Sequence, residues 1–394
     1  EINERGEVVK HEIFDSVIHS NYRMTYDAVN KIITDQDSEI RSQYKDLTPM
    51  LDLAQDLSNR LIRMRKRRGE IDFDINEAKV LVNDEGIPTE VLMRERGEGE
   101  RLIESFMLAA NETVAEHFNK LEVPFIYRVH EQPKSDRLRQ FFDFITNFGI
   151  MIKGTGEDIH PSTLQSIQEE VEGRSEQMVI STMMLRSMQQ AHYDDTNLGH
   201  FGLSAEYYTH FTSPIRRYPD LCVHRTIKAI LHHQVYRSTW PWPQLSEQCS
   251  FTERRADEAS RDVEKWLKTY YMREHLTEVF EGVITGVTNF GVFVMLNDVC
   301  IEGMIHISDL GLDYFTYLPE QLAVIGEKTK IRFSVGDTVI VKVVQADLET
   351  CRIDLTLVSG GKKSKIKPGS GKVTKKKTST KRNIKDTVKN KYTK

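Results

Sequence analysis

The hydrophobic pattern of this chain changes abruptly near Val279, and that change constrains the fold more than any other feature. Before Val279, apolar side chains recur at helical spacing over several long stretches. After it, they fall into short β-branched and aromatic runs separated by glycine turns. At 394 residues the chain is also too long for one ordinary domain. The sequence therefore predicts an α+β protein with two folded domains, one mostly helical with small sheets and one a β-barrel.

Residues 1–277 form the predicted helical domain. Its clearest helix has Thr48 as the expected N-cap, Pro49 at the first helical position, a cluster of basic residues at the C-terminus and Gly69 as the C-cap. A strand is expected over residues 71–82. Further helices are predicted around residues 102–121, 138–148, 178–191, 219–231 and 251–276.

Residues 278–359 are predicted to form a closed barrel of OB type, because five short strands with glycine turns follow one another there. The expected strands are Val279–Val287, Gly291–Leu296, Gly303–Ile307, Thr338–Val344 and Arg352–Thr356.

The net charge of −5 conceals a strongly basic C-terminal segment. Residues 361–394 hold 14 Lys/Arg and one acid, so the remaining 360 residues carry a net charge of −18. We expect residues 360–394 to form a disordered, lysine-rich tail, because they have almost no apolar side chains to bury. Because the other 360 residues are acidic overall, any binding of nucleic acid by them has to come from locally placed arginines and aromatic residues.

The beginning of the chain predicts that the sequence is the C-terminal part of a longer protein. It starts at Glu1 rather than Met, and no signal-peptide pattern follows. Residues 2–9 predict a β-hairpin that turns near Arg5-Gly6 and whose first strand is short. A half-strand of this kind leaves backbone groups without partners.

The cysteine spacing and the hydropathy of the sequence indicate the cellular compartment. The four cysteines lie far apart and form no CxxC pair, which indicates neither a disulfide framework nor a zinc ribbon. No apolar run approaches the roughly 18 residues that a membrane span needs, so no membrane partner is expected. These features favour a reducing, cytoplasmic location.

Aromatic residues of the predicted barrel carry the first specific signal. Phe290 and Phe293 are three positions apart, so they cannot both point inward from one strand, and at least one ring should be exposed. Exposed rings on an OB-type barrel stack on unpaired bases without reading their sequence. A lone Phe or His in a barrel is more often a packing residue. The joint pattern of motifs favours the binding function here.

Four motifs of the barrel region resemble the S1 RNA-binding domain: Phe-Gly-x-Phe-Val, Glu-Gly-Met-Ile-His-Ile-Ser, Val-Gly-Asp-x-Val and Arg-Ile-x-Leu. The resemblance covers residues 279–358 and implies a general affinity for single-stranded RNA. On the pattern of that family, the RNA-facing positions are Phe290, Phe293, His306 and Arg352.

The second signal is an arginine pair in a loop rich in glycine, proline and aromatic residues. Ser213 is expected to start a helix with Arg216 and Arg217 in its first turn, where backbone donors and arginine forks bind phosphate. Neighbouring helical residues diverge by about 100°. One arginine should therefore face a phosphate and the other a carboxylate such as Asp220 or Asp262. An arbitrary Arg-Arg pair more often forms a structural salt bridge.

The loop resembles the C-terminal signature of the catalytic domain of the ribonuclease II/ribonuclease R family, which are processive 3′→5′ exoribonucleases. The matching segments are Gly199–Leu203, Tyr208–Leu221 with His224-Arg225, Tyr127–Pro133, Glu104–Glu112 and Leu185–Met188. The resemblance covers nearly all of residues 1–276, and the S1 domain and lysine-rich tail favour the ribonuclease R branch.

The resemblance implies specific functions for four residues of the loop. Arg216 is expected to contact the scissile phosphate region and to support catalysis, because a cation there stabilises charge that develops on the phosphoryl oxygens. Ser213, Arg217 and Tyr218 are expected to line the RNA channel. The family releases nucleoside 5′-monophosphates with the help of Mg²⁺.

The aspartate array with which the family holds Mg²⁺ is not found in this sequence. The closest acid clusters, Asp72-Phe73-Asp74 and Asp194-Asp195, lack the required spacing and are predicted to be solvated loop acids. We therefore expect no metal ligands within these residues, magnesium ligands upstream of Glu1, and little nuclease activity from this chain by itself.

Two other functions stay open at the level of sequence. One is that of a non-catalytic RNA-binding relative that has lost the metal aspartates. The other is an S1-type adaptor of translation or the ribosome, which the arginine loop argues against because an adaptor does not need it. The basic tail is expected to bind RNA with a strong dependence on salt or, alternatively, to dock on the ribosome or a protein.

Overall fold

The computed structural model describes residues 1–72, 77–94, 96–152, 159–174 and 176–363. Nearly all of the lysine-rich tail, residues 364–394, lies outside the described residues, so the disorder expected there stays a prediction.

The first region is mostly helical, as predicted. Within the described ranges its helices are α1 (Tyr26–Ile33), α2 (Ser38–Gln43), α3 (Thr48–Arg68), α4 (Glu98–Lys120), α5 (Ser135–Thr146), α6 (Pro161–Val171), α7 (Gln177–Ser187), α8 (Tyr218–Leu231) and α9 (Trp242–Glu274). None of these described helices is both long and apolar enough to cross a bilayer.

Helix α3 shows how local chemistry sets a boundary. It ends where expected, because Gly69 adopts a left-handed conformation with φ of 104° that a side chain would strain. Its N-cap is Leu47 rather than the expected Thr48. The Thr48 hydroxyl donates backwards to the Tyr44 carbonyl at 3.0 Å, so it does not cap the helix.

Two small antiparallel sheets accompany the helices. Strand β1 (Glu77–Val82) pairs with β2 (Pro88–Arg94), and β3 (Tyr127–Val129) pairs with β4 (His192–Asp194). The predicted strand over residues 71–82 is thus confirmed only from Glu77 onward, and its residues 73–76 lie outside the described residues. The predicted N-terminal hairpin is present as a single bridge between Ile2 and Val8.

The second region is a closed five-stranded barrel, which confirms the OB-type prediction. In order around the barrel its strands are β11 (Thr338–Asp347), β12 (Arg352–Gly360), β7 (Ile301–His306), β6 (Gly291–Leu296) and β5 (Val279–Val287). Only the pairing of β7 with β12 is parallel. Inward positions of β6 and β7, among them Val292, Val294 and Ile305, are fully buried.

A second sheet in the barrel region was not predicted. It runs in the order β13 (Lys362–Lys363), β10 (Ile331–Ser334), β9 (Ala323–Gly326) and β8 (Phe315–Leu318). Its strands have four residues or fewer, too few for a clear alternation in the sequence.

A shared hydrophobic core joins the two regions. Phe144 of α5 and Val179 of α7 belong to the same buried cluster as Ile284 and Val339 of the barrel. Helix α9 leads directly from the helical region into β5. The barrel is therefore packed against the helical region rather than tethered to it by a linker.

Candidate nucleic-acid interface

The loop that carries the arginine pair is a turn and not the start of a helix. The backbone N–H groups of Arg216 and Arg217 donate to the Ser213 carbonyl at 3.3 and 3.1 Å, and α8 begins only at Tyr218. The predicted helix start at Ser213 is therefore wrong, and the physical reason is Pro219. A helix that began at Ser213 would hold this proline in its interior, where the ring breaks the hydrogen-bond ladder, whereas the first turn of α8 tolerates it.

A buried carboxylate fixes this turn. The Oδ1 atom of Asp220 accepts hydrogen bonds from the Ser213 backbone N–H and from Nη2 of Arg217, both at 2.7 Å, and the Asp220 side chain is fully buried. Asp220 also lies in the first turn of α8, where the helix dipole favours a negative charge. The expectation that one arginine faces a carboxylate is confirmed. That Ser213 and Arg217 also contact RNA stays a prediction.

Arg216 has the opposite environment. Its side chain is exposed, and no ion-pair partner for it is found among the described residues. Its neighbours Ile215 and Tyr218 are exposed as well. A guanidinium that is free of carboxylates can form two parallel hydrogen bonds to a phosphate, which makes this turn a suitable anion-binding element.

Buried polar side chains support the turn from beneath. Asn111 of α4 donates to the Tyr208 hydroxyl at 3.2 Å and accepts a hydrogen bond from the Phe211 backbone N–H at 3.0 Å. Arg128 of β3 pairs with Glu253 of α9 at 2.5 Å. Segments that are far apart in the sequence, and that carried the family motifs, therefore meet around the arginine loop.

Three imidazoles beneath the loop are kept neutral by burial. Burial lowers the pKa of His130, and it lowers the pKa of His200 to about 3. Burial, and next the nearby Arg217, lower the pKa of His210. Because Nδ1 of His130 accepts from the Gly202 backbone N–H at 3.0 Å, its Nε2 carries the proton and donates to the Gln189 carbonyl at 2.9 Å. The arginines therefore supply the positive charge of this region.

The barrel presents the predicted RNA-facing residues on its outer surface. Phe290 lies just before β6 and is 48% exposed, and its ring meets that of Phe293 edge-on at a centroid distance of 6.1 Å. His306 at the end of β7 and Arg352 at the start of β12 are exposed. The expectation that at least one phenylalanine ring is exposed is confirmed; contact of these side chains with RNA stays a prediction.

Gly291 explains the spacing of the aromatic motif. It pairs in register with His306, and a Cβ atom at this position would lie 2.6 Å from the Ile305 carbonyl oxygen. Only glycine allows β6 and β7 to approach this closely, and the approach brings Phe290 and His306 to the same end of the barrel face.

A groove of about 870 Å³ continues from the barrel towards the helices. Its barrel wall includes Met295 and Glu302, which lie opposite each other on β6 and β7. Its helical wall includes three cations, Arg186 of α7 and Arg261 and Lys268 of α9. Two acids of α9, Asp257 and Glu264, line the same wall, so the groove presents both signs of charge.

The described residues do not fit a magnesium site. No group of three or more His, Cys, Asp or Glu side chains that could hold a metal ion is found among them. Asp72 lies 3.6 Å from Arg96, and Asp194 lies 3.9 Å from His192. Asp74 lies outside the described residues.

Comparison with known proteins identifies both regions. The family model of the RNB domain matches residues 1–233, and that of the S1 RNA binding domain matches residues 276–357. The domain boundaries expected after residues 277 and 359 stay predictions. Among curated proteins, Ribonuclease R 1 of Lactococcus lactis is 47% identical over 380 residues, which cover 93% of this chain and 46% of that protein.

Solved structures share the fold of this chain. The apo form of Mycoplasma genitalium RNase R matches with a TM-score of 0.81 at 24% identity, over 91% of this chain and 56% of that chain. RNase R of the same organism in complex with ribose methylated single-stranded RNA matches with a TM-score of 0.77 at 25% identity. This match covers 84% of this chain and 53% of that chain. This chain spans about half the length of the relatives it matches. The RNB model covers more than half of this chain, and the curated relative described above is a ribonuclease R. The chain therefore belongs to the ribonuclease R family.

Proposed function

We propose that this chain binds single-stranded RNA and forms the RNA-gripping, C-terminal portion of a processive 3′→5′ exoribonuclease that releases nucleoside 5′-monophosphates. The observation that carries the proposal is that the two neighbouring arginines have different environments. Arg217 is held by the buried Asp220, whereas Arg216 is exposed, without a partner among the described residues. A cation in that position favours negative charge that develops on a phosphoryl group.

In this proposal the strand is held first by the barrel. Rings such as Phe290 and His306 stack on bases, and Arg352 neutralises a phosphate. Stacking of this kind tolerates any sequence, as a processive degrading enzyme requires. The groove that Arg186 and Arg261 help to line then receives the strand, and the proposed path continues to the Arg216 turn, where Tyr218 contacts the RNA.

The hydrolytic step itself is part of the proposal for the whole enzyme and not for these residues alone. The family resemblance implies Mg²⁺, and we propose that its ligands come from sequence other than these 394 residues. We also propose a cytoplasmic location, which the four free cysteines favour.

Substitution of Arg216 tests the proposal. Arg216→Ala should weaken the binding of fluorescein-labelled single-stranded RNA by roughly 10-fold or more, because a charge-assisted hydrogen bond contributes about 1.5–3 kcal/mol. Fluorescence anisotropy measures this affinity. Arg63→Ala, which removes another exposed arginine, is the matched control. Equal affinities of the two variants would contradict the assignment, and a chain that does not bind single-stranded RNA would refute the proposed function.

A further inference from the structure

Apart from Tyr218, the surface that follows the Arg216 turn has no part in the proposed function. Residues 216–242 contain five Lys/Arg and one acid, Asp220, in a chain whose net charge is −5. That acid is buried and paired with Arg217, so it does not offset the exposed cations. The same residues include two tyrosines and two tryptophans. A locally basic stretch with interleaved aromatic side chains is typical of nucleic-acid binding.

Helix α8 and the loop after it bring several of these side chains to one face. Tyr218, Cys222 and Arg225 follow the i, i+4, i+7 spacing, so they lie on one side of α8. The Tyr236 side chain lies close enough to those of Arg225 and Cys222 to interact with both, which places the loop beside that side of the helix. The Tyr236 ring meets Trp242 edge-on at 6.1 Å, where α9 begins. We call Tyr218, Arg225, Tyr236, Arg237 and Trp240 the aromatic–basic patch.

The patch exposes the groups that bind nucleic acid. Tyr218 is 45% and Trp240 46% exposed, and Arg225 and Arg237 are both exposed. No carboxylate is paired with either arginine among the described residues. A purely structural function accounts for Tyr236 and Trp242, which contact each other. It does not account for an exposed tryptophan beside exposed arginines.

We propose that the aromatic–basic patch is a second binding surface for single-stranded RNA, separate from the barrel. Bases stack on Tyr218 and Trp240, and Arg225 and Arg237 neutralise phosphates. Helix α9 begins beside the patch at Trp242, and the groove that it shares with the barrel begins at Asp257, about 22 Å further along the helix. The two surfaces thus contact different stretches of a strand, or different strands. The inference rests on the proposed function because the ligand is the same RNA.

The salt dependence of binding tests the patch. The probe is fluorescein-labelled oligouridine of about 30 nucleotides, which is longer than the roughly 4–16 nucleotides that one OB-type barrel covers. The double variant Arg225→Gln/Arg237→Gln should make the slope of log affinity against log salt shallower by about 1.4. Each neutralised phosphate of a single strand contributes about 0.7 to that slope. Arg237→Gln alone should change it by about 0.7. The control, Lys31→Gln with Lys45→Gln, changes the net charge equally at two exposed lysines outside the patch.

A second variant tests stacking without a change in charge. Trp240→Ala should lower the affinity roughly 5- to 150-fold, and it should do so even when Phe290→Ala and His306→Ala have removed the barrel rings. Unchanged slope and affinity in the patch variants, with normal binding by the wild-type chain, would overturn the patch and leave the proposed function standing. Failure of the wild-type chain to bind RNA would refute both the patch and the proposed function. Thermal unfolding of every variant verifies that the chain is folded.

Discussion

Nη2 of Arg217 donates to Oδ1 of Asp220 at 2.7 Å, and this carboxylate is fully buried. The same oxygen accepts the Ser213 backbone N–H, so one acid fixes both ends of the turn that exposes Arg216. The pair is therefore a structural element of the candidate interface, and Arg216 is the cation that stays available to a ligand.

Removal of the Asp220 carboxylate should destabilise the fold. Asp220→Ala leaves the Arg217 guanidinium, whose side chain is only 20% exposed, without its counter-charge. Breaking a buried pair in this way costs about 3–5 kcal/mol in the free energy of unfolding. Urea unfolding followed by circular dichroism measures the change. Asp262→Ala, at an exposed acid of α9, is the control and should stay within about 0.5 kcal/mol of wild type. A loss below about 1 kcal/mol for Asp220→Ala would show that the pair does not hold the turn.

The barrel rings should contribute to affinity without contributing to stability. Phe290→Ala and His306→Ala should each weaken the binding of single-stranded RNA by about 1–3 kcal/mol, to a similar extent for all four homopolymers. Anisotropy titrations measure this affinity. Thermal unfolding should hardly change, because both side chains are exposed. Ile340→Ala, at a 40% exposed position on β11 of the same barrel, should bind like wild type. An effect limited to one base would indicate sequence recognition and contradict the stacking model.

Stability should decrease as the pH falls below about 6.5. The pKa values of His130, His200 and His210 are lowered in the folded chain by burial, whereas an unfolded histidine titrates near 6.5. Below that pH the unfolded chain binds more protons. The stabilisation is therefore complete above about pH 6.5 and is lost, by up to about 1.4 kcal/mol per pH unit for each imidazole, as the pH falls towards the folded pKa values. Urea midpoints between pH 5 and 8 measure the trend.

A histidine variant tests whether the buried imidazoles cause this dependence of stability on pH. His210→Gln can keep a hydrogen bond to the Tyr193 hydroxyl, which lies 2.8 Å from Nδ1, but it removes one titrating group. Its stability should fall less steeply with decreasing pH. His19→Gln, at an exposed histidine, should leave the slope unchanged. A pH dependence that is the same in all three proteins would show that the buried imidazoles are not its source.

Deletion of residues 364–394 should make RNA binding less sensitive to salt. The deletion starts at residue 364 because Lys362 and Lys363 form β13, and Lys362 pairs with Asp337 at 2.6 Å. The removed residues hold 12 Lys/Arg and one acid. Each phosphate that they neutralise contributes about 0.7 to the slope of log affinity against log salt. If the slope does not change, the tail does not bind RNA, and docking on the ribosome becomes the better hypothesis for it.

The sequence determined the types of structural elements and the family. Helical spacing before Val279 and short alternating runs after it predicted a helical region and a barrel, because these periods follow from backbone geometry alone. The pairing of one arginine with Asp220 was predictable for the same reason, since that residue lies three positions after Arg217. The short strands β8 to β10 were missed because four residues give no clear period.

The family resemblance assigned the phosphate contact to Arg216, but only the tertiary structure gives the physical reason why this arginine, and not Arg217, is free. Arg216 and Arg217 are chemically identical neighbours, and the choice follows from the burial of Asp220 beside one of them and from Pro219, which delays the start of α8. The contacts of Tyr236 with Arg225 and with Trp242 likewise join the loop after α8 to that helix and to the start of α9. Exposure depends on contacts between segments far apart in the chain, and local sequence does not encode it.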